Sequence, residues 1–227
     1  MHFILIIGVL LAVIFGPSWW VRRVMARYSE PADRYPGTGG ELVNHLARQL
    51  KIPDLGVERT EQGDHYDPEA KVVRLTDDKY DGRSLTAITV AAHEVGHALQ
   101  DREGYKPLRW RSSLVRATHR LERLGAWMMV GAPVLGLVTR APHLSLLAIL
   151  GGVLSIGSSI PVHLVTLPTE FDASFKRALP IMRERILNPV DQPHAKRILT
   201  AAALTYVAAS LMALLNFARW AALLRRF

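Results

Sequence analysis

The residues with the clearest chemistry are His93, Glu94 and His97, which form a His-Glu-x-x-His pattern in the segment AAHEVGHALQ. Side chains four residues apart share one face of an α-helix, so both imidazoles can reach one metal ion. A catalytic zinc has three protein ligands and one open position, where it lowers the pKa of a bound water to about 7. Glu94 can take a proton from that water and pass it to a leaving amine. The pattern is therefore typical of metal-dependent hydrolysis.

A helix must present this pattern, and the flanking residues predict one over 85–101. Ser84 is a favourable N-cap residue, and Gly104 lies just beyond the predicted end. The two histidines then lie one turn apart on this helix.

The residues before this helix predict a small folded domain. Apolar residues at helical spacing predict a short amphipathic helix over 41–52. Two stretches at 57–60 and 71–76 predict strands, and the turn residues between them predict a hairpin. Together, these elements predict a small α+β zincin-like metal-binding domain within residues 22–124.

Much of the remaining chain is apolar. Of the 227 residues, 49% are hydrophobic, and long stretches carry almost no charge, as expected for helices that cross ~30 Å of hydrocarbon. Such stretches occur at 3–21, 125–139, 144–167 and 198–220. We therefore expect a mostly α membrane protein with about four transmembrane helices and with the lipid bilayer as a partner.

The composition excludes several other classes of protein. The chain has no cysteine, so disulfides, cysteine-ligated metal sites and thiol nucleophiles are excluded, and His and carboxylate remain as metal ligands. The apolar content excludes intrinsic disorder. The net charge of +8 does not indicate nucleic-acid binding, because the basic residues lie beside the apolar stretches instead of forming a separate patch.

A third metal ligand must come from elsewhere in the chain. The candidates are Glu103, His119, Glu122, His163, Glu170 and Asp172. If the second and third apolar stretches run out and back, the segment LPTEFDAS returns to the side that carries the histidines. This topology favours Glu170, with Asp172 in reserve. His163 lies within an apolar stretch, where it is either a buried, hydrogen-bonded side chain or a functional group.

Three stretches of the chain resemble a known family. HEVGHALQ, the preceding HYDPEAKVVRLTDDKYDGRSL and the later LPTEFDAS are similar to the YugP-like neutral zinc metallopeptidases of bacterial membranes, which in turn resemble HtpX-like membrane gluzincins. The resemblance implies that His93, His97 and Glu170 bind Zn²⁺. It also implies that Glu94 is the catalytic acid and base.

The same resemblance implies how the site is supported. The HtpX-like pattern has an Asp four residues after the glutamate ligand, where this chain has Ser174. Asp172 or the Ser174 hydroxyl could supply the missing hydrogen bond to a ligand. Related enzymes often bind an extended substrate along a strand edge, which gives the strand at 71–76 a candidate role. Arg83 is a candidate anion contact or a surface salt-bridge partner.

The chain is thus predicted to contain five segments. They are an N-terminal transmembrane anchor at 1–21, a zincin-like metallopeptidase domain at 22–124, a transmembrane helical hairpin at 125–167, a third-ligand segment with a polar loop at 168–197, and a C-terminal transmembrane helix and tail at 198–227. Lys and Arg near the spans are more numerous on the side of the metal domain, which predicts a multi-pass protein of the bacterial inner membrane with that domain in the cytoplasm.

We therefore predict a membrane-anchored zinc-dependent metalloendopeptidase that acts on proteins or peptides, with membrane proteins as candidate substrates. The alternative is a non-catalytic, zinc-stabilised membrane scaffold or chaperone-like adaptor. A structural zinc site would have a fourth protein ligand and no use for a general base such as Glu94.

Overall fold

The computed structural model describes residues 2–204, which are mostly helical and include one small sheet. The α-helices are α1 (His2–Arg27), α2 (Gly39–Gln49), α3 (Asp77–Tyr80), α4 (Leu85–Arg102), α5 (Lys106–Thr139), α6 (Pro142–Gly157), α7 (Ser159–Phe171), α8 (Leu179–Arg185) and α9 (residues 192–204). A π-helix (Asp172–Ala178) joins α7 to α8, and a 3₁₀-helix (Pro189–Asp191) precedes α9. The strands are β1 (Gly56–Arg59), β2 (His65–Asp67) and β3 (Val72–Leu75).

The described residues divide into two compact units. Among the described residues, the first contains residues 2–108 and 167–204, and the second contains Arg109–Thr166. All of the candidate metal ligands favoured by the sequence lie in the first unit. The division into five segments stays a prediction.

Helix α4 is the centre of the first unit, and its predicted start is confirmed. The Ser84 hydroxyl accepts a hydrogen bond from the Ala87 N–H at 3.2 Å, which satisfies a donor of the first turn. At the other end, Gly104 has a φ of +67°, a left-handed conformation that glycine adopts without strain. Every residue from Leu85 to Gln100 is buried, because α2, β2, β3, α8 and the π-helix pack around this helix.

The sheet has the order β1-β3-β2 and differs from the predicted hairpin. β1 is parallel to β3, and β2 is antiparallel to it, so the hairpin joins β2 and β3 instead of the stretches at 57–60 and 71–76. The Asp67 side chain explains the difference. Its Oδ1 accepts hydrogen bonds from the Glu69 and Ala70 N–H groups at 2.9 and 3.1 Å, which closes the turn immediately before β3.

The four predicted transmembrane spans do not correspond one to one with the described helices. Within the described residues, one helix, α5, is long and apolar enough to cross a membrane, and 11% of its most apolar window is buried. The expected four transmembrane helices are therefore not confirmed. The stretch at 144–167 is two helices, because α6 ends at Gly157 and α7 begins at Ser159. Most of the stretch at 198–220 lies outside the described residues.

The break between α6 and α7 has a local cause. The Ser158 hydroxyl donates to the Ser155 carbonyl oxygen at 2.6 Å, and the Ser155 hydroxyl donates to the Gly152 carbonyl oxygen at 2.7 Å. Such side-chain bonds compete with the backbone ladder of a helix. These bonds weaken the helix at this point, and Pro161, which has no N–H to donate to the Gly157 carbonyl oxygen, prevents α6 from continuing into α7.

Candidate metal centre

The two histidines of the motif lie one turn apart on α4, as its periodicity requires. His93 and His97 are 5% and 4% exposed, and their ring centroids are 4.8 Å apart. A buried imidazole needs partners for both ring nitrogens, because an unsatisfied polar group in the interior is costly. The partners of these four nitrogens therefore define the site.

Glu170 meets both rings through one oxygen atom. Its Oε2 lies 3.2 Å from His93 Nε2 and 3.3 Å from His97 Nε2, and its side chain is fully buried. Glu170 lies in the last turn of α7, 73 residues after His97. The three ligand atoms are all within 4.8 Å of one another, and within the described residues this is the one such group of three that could hold a metal ion.

Gly96 explains how the glutamate comes so close to the motif. A Cβ atom added at Gly96 would lie 2.7 Å from the Ala173 carbonyl oxygen, closer than real contacts allow. The backbone of α4 therefore contacts the backbone of the π-helix directly. π-Helices are rare and frequently occur at functional sites, and this one begins two residues after Glu170.

The remaining ring nitrogens have partners from two different elements. Ser174 Oγ lies 3.1 Å from His93 Nδ1, and Gln100 Oε1 lies 3.0 Å from His97 Nδ1. Because an amide oxygen can only accept, the His97 Nδ1 carries a proton and its Nε2 faces Glu170. This leaves Nε2 as the ring nitrogen that can bind a metal ion.

A buried hydrogen-bond network fixes the orientation of the Gln100 amide. Its Nε2 donates to the Thr169 carbonyl oxygen at 2.8 Å and to Asp172 Oδ1 at 3.3 Å. Asp172 also accepts a hydrogen bond from Arg177 Nε at 2.8 Å, and Arg177 pairs with Glu103 at 2.7 Å. Asp172 therefore supports His97 through Gln100, whereas Ser174 contacts His93 directly.

Glu170 is ionised, as a carboxylate ligand of a metal ion must be. Burial alone would raise the pKa of Glu170, but the charge of His97 and the hydrogen bonds from His93 and His97 outweigh it, so the pKa lies well below its ordinary value. Glu170 is therefore a carboxylate at neutral pH. Ionised carboxylate and imidazole are both good zinc ligands.

The donor set fits a zinc ion. The carboxylate oxygen of Glu170 lies 3.2 and 3.3 Å from the two ring nitrogens. Atoms with lone pairs approach this closely only when positive charge lies between them, from ring protons or from a metal ion. Tetrahedral zinc with bonds of about 2.0–2.1 Å separates its ligand atoms by about 3.3–3.4 Å. The two nitrogen–oxygen separations are therefore close to those of zinc ligands, and all three ligand atoms lie within 4.8 Å of one another.

The other described candidate residues do not belong to this group of three ligands. The side chain of Glu103 is 55% exposed and pairs with Arg177, and His119 and Glu122 are 3.8 Å apart on α5. The His163 side chain lies outside the described residues. Glu94 is 5% exposed within α4, beside His93 in the chain.

One further expectation is wrong. β3 is paired on both sides, with β1 and with β2, so the stretch at 71–76 offers no free edge to a substrate. Long-range strand pairing decides this outcome, and local patterns do not report it. Arg83 Nε donates to the Tyr35 carbonyl oxygen at 2.8 Å, and its role as an anion contact or salt-bridge partner stays a prediction.

Comparison with known proteins agrees with this geometry. The family model described as "Putative neutral zinc metallopeptidase" matches residues 3–225. The chain belongs to this family. It is also 33% identical over 222 residues to "Putative membrane protease YugP" of Bacillus subtilis (strain 168), covering 97% of this chain and 95% of the relative. No solved structure matches the chain.

For this member of the zinc metallopeptidase family, sequence reasoning missed three supporting residues. Gln100 is three residues after His97 and therefore on the same side of α4, which was a usable signal. Gly96 lies inside the motif, but its role depends on the backbone of Ala173. Arg177 is five residues after Asp172, and this spacing brings the two together because the segment is π-helical.

Proposed function

We propose that this protein is a membrane-anchored zinc-dependent metalloendopeptidase. His93, His97 and Glu170 would hold the zinc ion, and Glu94 would act as the general base and acid. The observation that carries this proposal is the convergence of three buried ligand atoms, with one oxygen of Glu170 within 3.3 Å of both Nε2 atoms. Family membership and the name of the YugP relative support the same reaction.

The zinc ion and the protein side chains would supply different parts of the reaction. A bound zinc ion supplies a Lewis acid that polarises the scissile carbonyl group and makes water acidic. Glu94 accepts one proton as the water oxygen attacks the carbonyl carbon, and it donates that proton to the amine nitrogen as the C–N bond breaks. Ser174 and Gln100 keep the imidazoles in place throughout the reaction.

The proposed membrane span is supported by the exposed face of α5. Trp127, Val130, Val134, Leu137 and Val138 are each at least 60% exposed. Large exposed apolar surfaces mark membrane or protein contacts. The excess of Lys and Arg beside the spans supports a multi-pass protein of the bacterial inner membrane with the metal site on the cytoplasmic side. A reporter fused at Gly63 that is active only outside the cytoplasm would contradict this orientation.

The scaffold alternative is less well supported. A structural zinc site has four protein ligands. The group found within the described residues supplies three, His93, His97 and Glu170. An open fourth position suits hydrolysis.

The deciding experiment compares Glu94→Gln with the wild type. In purified full-length protein, we expect the variant to retain one zinc per chain by elemental analysis. Its peptide hydrolysis should fall by about 10²–10⁴-fold, the range that general acid–base catalysis contributes. Proteins that accumulate in Glu94→Gln cells, identified by quantitative proteomics, are the candidate substrates.

Glu122→Gln is the matched control, because Glu122 pairs with His119 at 3.8 Å on α5 and does not belong to the group of three candidate ligands. This variant should retain both zinc and hydrolysis. Full proteolysis by Glu94→Gln would refute the mechanism. Zinc binding with no hydrolysis by the wild type over a broad peptide library would favour the scaffold.

A further inference from the structure

Four arginines of α5 lie on one exposed face of the helix. Arg109, Arg116, Arg120 and Arg123 are all exposed, and at about 100° per residue they fall within an arc of about 60°. The acidic residue of this stretch, Glu122, lies on a different side of the helix, next to His119. The face is therefore strongly basic. We call these four residues the arginine face.

The same side of α5 becomes apolar after Arg123. Trp127, Val130, Val134 and Val138 continue the stripe at spacings of three and four residues, and they are 71%, 72%, 60% and 78% exposed. One side of a continuous helix thus changes from guanidinium groups to apolar side chains within a single turn. Trp127 stands at the change, where an indole ring is favoured at a membrane interface.

Helix geometry ranks the arginines by their distance from this boundary. At 1.5 Å per residue, Arg123 and Arg120 lie about 6 and 10 Å along the axis from Trp127. A headgroup layer is roughly 5–8 Å thick, so these two side chains can reach lipid phosphates. Arg116, at about 16 Å, lies within a Debye length of that layer, whereas Arg109, at about 27 Å, lies beyond it.

We propose that Arg120 and Arg123, the two members of the arginine face that reach the headgroup layer, form a binding surface for anionic phospholipid headgroups. The inference rests on the proposed membrane span of α5. Guanidinium groups bind phosphate oxygens through paired, charge-assisted hydrogen bonds. A zwitterionic headgroup carries a compensating cation, so the arginine face should favour lipids with net negative charge.

The test uses the full-length protein in detergent, titrated with phosphatidylglycerol or with phosphatidylcholine of the same acyl chains. Native mass spectrometry gives the dissociation constant for the first bound lipid. The wild type should bind phosphatidylglycerol at least about 5-fold more tightly, since each basic residue near an anionic surface contributes about that factor. Arg120→Gln with Arg123→Gln should weaken phosphatidylglycerol binding by about 20-fold and leave phosphatidylcholine binding unchanged.

Arg109→Gln is the matched control and should change phosphatidylglycerol binding by less than about 2-fold, because its side chain lies beyond the headgroup layer. Equal affinities of the wild type for the two lipids would overturn the proposal, and so would a double variant that keeps the preference. Alkaline carbonate extraction of membranes tests the span separately. A chain that stays in the membrane but shows no preference refutes the arginine face alone, whereas a chain released by carbonate refutes the span as well.

Discussion

Helices α4 and α5 are neighbours in the chain, but their side chains have opposite surroundings. In α4, polar residues such as His93, His97 and Gln100 are buried together with the apolar ones. In α5, apolar residues such as Trp127 and Leu137 are exposed. A buried polar group requires a specific partner, whereas an exposed apolar group requires a nonaqueous neighbour. The two helices therefore indicate the two halves of the proposed function, a metal centre and a membrane span.

The comparison predicts that equivalent changes have unequal effects on the two helices. The largest difference is expected for histidine. His97→Ala removes one of three ligand groups, so zinc affinity should fall by at least about 100-fold, the upper end of what loss of a supporting hydrogen bond costs. His119→Ala on α5 should not change zinc affinity, because the His119 side chain is 72% exposed. Chelator competition measures both, and equal losses would contradict the assignment.

The next effect concerns the buried network behind His97. Gln100→Leu keeps the approximate size of the side chain but removes the hydrogen bond to His97 Nδ1 and the donor to Asp172. We expect zinc affinity to fall by about 10–100-fold. Gln49→Leu, a change at an exposed glutamine on α2, is the control and should have no effect. If Gln100→Leu binds zinc as tightly as the wild type, Gln100 does not position His97.

The third comparison concerns glycine, affects stability instead of zinc affinity, and separates the effect of packing from that of helix propensity. Gly96→Ala places a Cβ atom 2.7 Å from the Ala173 carbonyl oxygen and should destabilise the fold by about 1–3 kcal/mol. Gly131→Ala on α5 meets nothing within 4 Å and should stabilise the protein by up to about 1 kcal/mol. Thermal unfolding in detergent measures both. A Gly96→Ala variant as stable as the wild type would show that α4 and the π-helix are not in close backbone contact.

The elements around the motif show which parts of the fold local sequence patterns predict and which they do not. The start of α4 at Ser84 and the shared face of its histidines follow from capping and from 3.6-residue periodicity, and both are observed. The strand at 65–67 was missed because its residues are polar and resemble a turn. The parallel pairing of β1 with β3 was missed because strand order is a property of the whole sheet.

The sequence by itself determined the local chemistry, which is two imidazoles and a carboxylate on one helix. It also showed that the charged residues are separated from long apolar stretches. It also narrowed the third ligand to a few residues. Only the tertiary structure decided that Glu170 meets both rings and that Gln100 connects His97 to Asp172. The physical reason is a difference in range. Helix periodicity relates side chains up to about four residues apart, whereas Glu170 lies next to the motif because Gly96 permits a close backbone contact between α4 and the π-helix.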